Sequence, residues 1–502
     1  MAERNPFFLR LVLAIAWPVA AWAAFPQINA WPLAFVAFAP LFWLWSVSSW
    51  KAAIGWTVLS CTIYFSLVDQ WMIFSLGDEI GNARFLALIL LSFIESLFVA
   101  LGAVVVSLAA RGAFRAPLVI AAPAAWLIME SVRTNGEASM PFAQVGAIAP
   151  HVAWLLPMAA YAGIYGLTAL IVLCNGAIAG LVFGDRSARV AGLATLGIVV
   201  VVVALGDAGR QTVALPPAHT RVAIAQGNIS QRVKWSPARF TQTIATYSAL
   251  TSQAAAGGAR IVVWPETAIT DYPLEKPELF SELQALVGQQ QVWLIAGTVD
   301  SPTPHETYNI IMTLDPQGTL RDVYRKHILV PFAEYLPFDA IFRRIPGFDQ
   351  ASAFTHGLGP QLLHVEGNRF GPLICFESAY SSYARQTVLL GATSLLVITD
   401  DAWFGSASGP VIHADLSAID AVETGRWVVR GADTGISQFI DPKGRVVAQL
   451  PLNTQGVLSA NIGAPIDTPY LRFGAGWLEA LALCALVIAA VWRPAPAKRQ
   501  WR

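Results

Sequence analysis

Eight long apolar stretches, seven of them crowded into the first 207 residues, constrain this chain more than any other feature of its sequence. They fall at 8–24, 31–47, 52–74, 85–110, 116–132, 157–183, 189–207 and 476–492. Each approaches the roughly 20 residues that an α-helix needs to cross the hydrocarbon core of a bilayer. Composition agrees: 13% of residues are charged, against about 25% in an ordinary soluble domain. The deficit is uneven, because residues 215–470 carry most of the Asp, Glu, Lys and Arg. A membrane bundle with one polar domain is therefore expected.

The first stretch has the look of a signal peptide, with small residues at Ala23 and Ala24, but further spans follow at once and it reads as an uncleaved helix. The fifth is short and contains Pro117 and Pro123, and the apolar segment 141–156 leaves room for a ninth, re-entrant or interfacial piece. Basic residues mark alternate connections: Arg4, Lys51, Arg111 with Arg115, Arg186 with Arg189, and finally Arg493, Lys498, Arg499 and Arg502. The intervening loops hold the uncharged Phe25–Ala30 and a stretch with Asp78, Glu79 and Arg84. By the positive-inside rule the basic set is cytoplasmic. The expected organisation is a seven-span bundle over 1–207, a polar domain over 218–465 on the outer face, and a returning helix with a cytoplasmic tail over 470–502. In a bacterium this means a multi-pass inner-membrane protein with a periplasmic domain. Asp69, Glu95, Glu130 and Glu479 lie in or at the ends of spans, where carboxylates hydrogen-bond between helices, sit near headgroups or serve function.

Formal net charge is zero, so no basic surface argues for nucleic acid. Of the four cysteines, Cys61, Cys174 and Cys484 fall in apolar stretches and only Cys375 lies in the polar domain. That domain cannot close an internal disulfide or build a cysteine zinc site, and no metal is expected. Its lone thiol is either core filling or a nucleophile.

Between 218 and 465 short β-branched runs alternate with helical stretches. Strands are expected at 221–225, 260–264, 292–296, 308–314, 320–324, 371–374, 394–398, 436–440 and 445–450, and helices at 237–255, 276–289, 379–389 and 411–428. Asp315-Pro316-Gln317-Gly318 and Asp441-Pro442-Lys443-Gly444 are turn sequences. The pattern implies an α/β sandwich covered by helices. Three predicted strands run into Glu266, Lys326 and Cys375, and open α/β sheets build sites beyond the carboxyl ends of strands. Singly each residue has an ordinary reading: a loop carboxylate, a solvated strand end, a buried thiol. His327 and His413 also leave a cysteine–histidine hydrolase open.

The surrounding motifs decide among these. Trp264-Pro265-Glu266-Thr267-Ala268, Lys326-His327-Ile328-Leu329-Val330-Pro331-Phe332-Ala333-Glu334-Tyr335, Ile374-Cys375-Phe376-Glu377-Ser378 and Thr399-Asp400-Asp401-Ala402-Trp403-Phe404-Gly405 occur in this order. With them the chain resembles the nitrilase superfamily and, given the flanking spans, its bacterial apolipoprotein N-acyltransferase family. The likeness extends to Glu130, Arg133 and Pro141 in the 126–146 stretch. It implies an αββα sandwich with a Glu266–Lys326–Cys375 triad. Ala333 stands where Gly is common, Phe376 where Tyr is common and Asp400 where Asn is common, so no hydroxyl lies beside the nucleophile.

A free thiol is only slightly ionised at neutral pH. Glu266 can act as general base if burial raises its pKa toward the working range, and Lys326 can favour thiolate and developing oxyanion. Supporting candidates are Glu334 and Glu377, the backbone N–H of Phe376, and Trp403. The resemblance implies transfer of an acyl chain from a phospholipid donor, through a cysteine thioester, to the N-terminal diacylglyceryl-cysteine amine of an apolipoprotein, with no cofactor. The apolar stretch 328–360 reads as a lid touching membrane lipids, with Phe332, Phe338 and Phe342 facing the bilayer and Arg343 and Arg344 near phosphates. The alternatives are a membrane-anchored amide hydrolase with the same triad and a transporter bearing an accessory domain.

Overall fold

The computed structural model describes residues 6–75, 81–136, 139–336, 338, 344, 354–405 and 408–492. Helix occupies the apolar stretches of the first half: α1 (Pro6–Ala23), a 3-10 turn at Trp31–Phe35 leading into α2 (Ala39–Val47), α3 (Trp50–Val68), α4 (Ala83–Ala110), α5 (Leu118–Arg133), α6 (Ala159–Phe183) and α7 (Arg186–Thr212). By length and composition four helical segments suffice to cross a membrane, at Trp50–Val68, Ala83–Ala110, Leu156–Phe183 and Arg186–Thr212. Those at Phe7–Ala23, Trp31–Val47 and Gly476–Val491 are shorter.

The burial pattern of α4 shows what solvent this bundle expects. Ser92, Glu95, Ser96, Val99, Gly102, Ala103, Val106 and Ser107 are buried at helical spacing, whereas Leu86, Leu90, Leu101 and Leu108 are 55–69% exposed. Small and polar residues face the neighbouring helices and large apolar ones face outward, the arrangement of helices packed in lipid. Gly102 lets α5 approach, since a Cβ there would meet Met129 at 3.0 Å and Ala125 at 3.3 Å.

Charges inside the bundle are mostly paired. Arg133 donates to Glu95 at 2.6 Å and to the Met140 carbonyl at 2.6 Å. Glu130 accepts from Thr168 Oγ1 at 2.6 Å, Val145 N–H at 3.1 Å and Trp126 Nε1 at 3.2 Å. Ser131 donates to Glu479 at 2.6 Å. The helix-to-helix role holds for these three carboxylates, while the buried Asp69 oxygens find no hydrogen bond among the described residues. The 141–156 segment forms no further long helix. It folds into a buried 3-10 turn, Val145–His151, packed between α6 and the polar domain.

That domain is a sandwich of two six-stranded sheets. One contains β1 (Ala218–Gln226), β2 (Ile261–Trp264), β3 (Trp293–Thr303), β4 (Glu306–Leu314) and β5 (Leu320–Arg325). The other contains β6 (Leu363–Val365), β7 (Asn368–Ile374), β8 (Ser394–Thr399), β9 (Trp427–Ala432), β10 (Ser437–Ile440) and β11 (Val446–Leu450). β12 (Gly456–Gly463) returns to pair antiparallel with β1. Each sheet is centred on three parallel strands, β1, β2 and β3 in one and β7, β8 and β9 in the other.

Alternation along the strands makes the layers. Val222, Ile224, Ile261, Val263, Phe370, Ile374, Leu396 and Ile398 fill the space between the sheets. The other face of the first sheet, with Val262 and Trp264, is covered by α8 (Pro237–Ala256) and α9 (Pro277–Gln290). On the second sheet, Leu373, Leu395, Val397 and Val428 join α10 (Ser381–Leu389) and α11 (Gly409–Thr424) in one continuous core with the bundle residues Trp17, Phe38 and Phe142. The outer helix layer thus doubles as the contact with the membrane part, where α11 packs on α6, and the chain ends with α12 (Gly476–Val491) against α5.

In the polar domain the expected elements are present, with three strands unforeseen among the described residues: β6, β9 and β12. The helix expected over 411–428 ends instead at Thr424, because Gly425 takes a left-handed φ of +62° and stops it, and β9 follows.

Candidate active site

β2, β5 and β7 end at Trp264, Arg325 and Ile374, and deliver Glu266, Lys326 and Cys375 to one buried rim, each less than a tenth exposed. Lys326 Nζ lies 3.3 Å from Glu266 Oε1 and 2.8 Å from Glu334 Oε1. Glu266 also accepts from Asn309 Nδ2 at 2.7 Å and, through Oε2, from the Asp400 N–H at 2.8 Å. Glu334 takes the Val330 N–H at 2.8 Å. Both carboxylates are thereby aimed, and the ammonium between them is buried.

Cys375 opens a 3-10 turn with φ of +50°, a left-handed conformation that costs a side chain about 1–3 kcal/mol. Glu377 compensates. One of its oxygens accepts the Ile374 N–H at 2.7 Å, and the other accepts the N–H groups of His327 at 2.7 Å and Ile328 at 3.0 Å, with the Tyr324 hydroxyl at 2.7 Å. A single buried carboxylate therefore ties the Cys375 turn to the segment carrying Lys326. Burial pushes its carboxyl above the usual value despite these donors.

Three further groups shape the site in ways the sequence did not foretell. Lys234 Nζ reaches Asp400 at 2.6 Å, Asp433 at 3.2 Å and the Glu266 carbonyl at 3.0 Å, pinning the loop that holds Glu266. Asp400 has a charged partner there, where an Asn would have none. Asn309 has no motif around it to mark it. The third is His413. Its Nδ1 meets Asp401 at 2.8 Å, its Nε2 lies 3.0 Å from the Cys375 carbonyl and 2.9 Å from Ser378 Oγ, and Arg430 meets Asp401 at 2.7 Å. Both ring nitrogens are committed to Asp401 and the backbone of the Cys375 turn, so His413 is a brace and not a thiol's base. The cysteine–histidine alternative loses its geometry.

Electrostatics define the resting state. Burial drives the Cys375 thiol well above its ordinary range, Glu266 adds to this, and Lys326 opposes it. Burial acts to lower Lys326, but Glu334 and Glu266 outweigh it and the ammonium is held above its usual value. For Glu266, burial again acts upward, yet Lys326, Asn309, the Asp400 N–H and Lys234 together hold the carboxyl below the ordinary range. This corrects the expectation that burial raises Glu266: the charges around it win. The resting site is a neutral thiol beside an ionised base and a fixed cation.

The other candidates are placed less centrally. Phe376 stacks on Phe142, and Trp403 is 41% exposed at the bundle's edge, where its carbonyl accepts from Ser75 Oγ at 2.6 Å. Phe332 and Phe338 are 45% and 51% exposed, and Arg344 is exposed. Phe342 and Arg343 lie outside the described residues. Among the described residues no cluster of His, Cys, Asp and Glu is arranged to hold a metal.

Residues 221–465 match the carbon-nitrogen hydrolase family, and residues 19–177 match the apolipoprotein N-acyltransferase N-terminal domain. Apolipoprotein N-acyltransferase from Photobacterium profundum is 29% identical over 98% of this chain and 96% of its own length. The enzyme of the same name from Vibrio parahaemolyticus is 30% identical over 74% of each chain, and that from Bradyrhizobium diazoefficiens 31% over 76% of this chain and 74% of its own. Among solved structures, an amidase from Nesterenkonia sp. superposes with a TM-score of 0.40 at 19% identity, covering 53% of this chain and 98% of its own. The chain belongs to the apolipoprotein N-acyltransferase family.

Proposed function

We propose that this protein transfers a fatty acyl chain from a phospholipid to the N-terminal diacylglyceryl-cysteine amine of apolipoproteins, with Cys375 as nucleophile, Glu266 as general base and Lys326 as electrostatic stabiliser. The observation that carries the reading is the buried Lys326–Glu266 pair at the strand ends beside Cys375, in a domain whose helix layer is fused to an apolar bundle. Cys375 Sγ attacks the ester carbonyl carbon while Glu266 takes the thiol proton. The tetrahedral oxyanion forms beside Lys326, whose fixed charge is of the kind that lowers such barriers by about 3–4 kcal/mol. The Phe376 N–H is the second donor to that oxyanion. The carbon–oxygen bond then breaks, and the proton on Glu266 passes to the leaving alkoxide, releasing lysophospholipid. The acceptor amine attacks the thioester carbonyl and gives a proton to Glu266. The carbon–sulfur bond breaks, and that proton returns to the thiolate as the amide leaves. No cofactor enters this sequence.

Glu334 positions Lys326, Glu377 positions the Cys375 turn, and Trp403 lines the edge of the site toward the bundle. The bundle spans the bacterial inner membrane eight times, with seven spans in 1–207 and one in 470–502, and holds the 218–465 domain at the periplasmic surface. Tethering confines enzyme, donor and acceptor to one surface and raises their effective concentration. Phe332, Phe338 and Arg344 sit on the membrane-facing lid.

Purified protein incubated with phospholipid and a diacylated lipopeptide tests the reading. The lipopeptide is expected to gain one acyl mass with equimolar lysophospholipid. Free fatty acid with an unmodified peptide would instead indicate a membrane-anchored hydrolase.

A further inference from the structure

A cavity of about 250 Å³ lies on the seam between the bundle and the catalytic domain. Asn135 and Ser139 enter it from the loop after α5, His327 from the segment after β5, and Tyr380, Ser382 and Gln386 from the start of α10. It shares a wall with the catalytic machinery. Pro331 and Tyr335, which also line it, bracket the turn whose Glu334 holds Lys326, and His327 is the residue next to Lys326. Tyr380 is hydrogen-bonded to Ser139 at 2.8 Å and packs edge-on against Phe376 with ring centroids 5.3 Å apart. The cavity is thus adjacent to the reacting centre and walled on its other side by the loop after α5.

Its chemistry discriminates between the two substrates. No Lys, Arg, Asp or Glu lines it among the described residues. A phospholipid headgroup presents a phosphate, which calls for a guanidinium or ammonium. A peptide backbone presents neutral N–H and C=O groups, which are matched by amide, hydroxyl and imidazole groups. The Ser382 hydroxyl and the Gln386 amide are exposed and take no partner from the described residues. His327 Nδ1 meets the Gly357 carbonyl at 2.7 Å, which makes Nδ1 the donor and leaves Nε2 without a partner among the described residues. The volume is below the roughly 300–1,000 Å³ of a site for a whole small molecule, so it suits a short segment of a longer ligand.

We propose that this cavity binds the peptide segment following the N-terminal cysteine of the acceptor. It sets acceptor affinity and leaves the donor half of the reaction to the bilayer side of the site. The assignment rests on the reading of Cys375 as acyl carrier, because only a two-stage transfer separates donor from acceptor.

The test is the double variant Ser382→Ala/Gln386→Leu, two exposed positions on α10, with its thermal unfolding checked against the parent. Three quantities are measured: the rate of thioester formation from phospholipid without acceptor, KM for a diacylated lipopeptide with four residues after the cysteine, and KM for diacylglyceryl-cysteine amide with none. The expected result is a rise of about tenfold in KM for the lipopeptide, from two lost hydrogen bonds. KM for the short acceptor and the rate of thioester formation are expected to stay at parent values. An equal rise for both acceptors, or no rise, overturns the assignment. Slower thioester formation also overturns it and puts the donor headgroup in the cavity. Parent enzyme that forms no thioester at all would overturn the acyl-transfer reading itself, an outcome separate from the other three.

Discussion

Phe142, from the bundle, stacks on Phe376, the residue after Cys375, with ring centroids 5.9 Å apart and planes 19° apart. The contact is part of a buried aromatic group in which Phe142 also meets Trp71 at 5.0 Å, Phe404 at 5.5 Å and His413 at 5.6 Å. The Phe142 loop is itself held from below, by Arg133 on the Met140 carbonyl and Glu130 on the Val145 N–H. Membrane helices therefore back the turn that presents Cys375. Phe142→Ala should destabilise the protein by about 3–5 kcal/mol and slow acylation of Cys375 in the molecules that remain folded. Thermal unfolding together with single-turnover acylation checks both, and Phe142→Leu should be milder in each.

His413 braces the left-handed Cys375 turn through the carbonyl of that residue. His413→Leu removes the brace and leaves Asp401 with Arg430 and Thr399 only. Acylation of Cys375 should slow about tenfold or more, with KM for the phospholipid unchanged. His413→Gln, which retains a polar group, should recover part of the rate. A larger change in KM than in rate would place His413 in substrate binding instead.

The pH dependence follows from Glu266. Its carboxyl is held below the ordinary 4.5 by Lys326 and its hydrogen-bond donors, which outweigh burial. A depressed folded value means that the pair with Lys326 stabilises the protein above the ordinary carboxylate pKa. That contribution is lost as pH falls through the depressed value. Acylation should therefore keep its rate down to pH 4.5 and fall only below it, which single-turnover measurements across acidic buffers will show. A midpoint near neutrality would contradict the assigned charge state.

Orientation is tested by fusion of a phosphatase reporter. Fusion after residue 215 should be active and fusion after residue 186 inactive, because the proposed orientation puts the basic connections on the cytoplasmic side. The reverse pattern would remove the lipoprotein reading.

Much of this was legible in the sequence for identifiable reasons. Glu266, Lys326 and Cys375 each follow a run read as a strand, so local pattern sufficed to place them at strand ends. The long helices announced themselves by hydropathy. What stayed hidden depends on residues far apart in the chain. Lys234 and Asp400 are 166 positions apart, and β12 pairs with β1 across more than half the domain. Periodicity carries no trace of such contacts, and so the Lys234 charge that helps lower Glu266 was not foreseen. The helix expected through 411–428 failed differently, because its stop signal, Gly425, was present and was outweighed by the apolar run Trp427-Val428-Val429.

The central claim is that Cys375 carries the acyl group, and intact-protein mass spectrometry tests it most directly. Enzyme given phospholipid but no acceptor should gain one acyl mass on Cys375, released by neutral hydroxylamine. Glu266→Gln, Lys326→Ala and Cys375→Ala should each fail to form the adduct. An adduct on Cys61, Cys174 or Cys484, or full transferase activity in Cys375→Ala, would contradict the account.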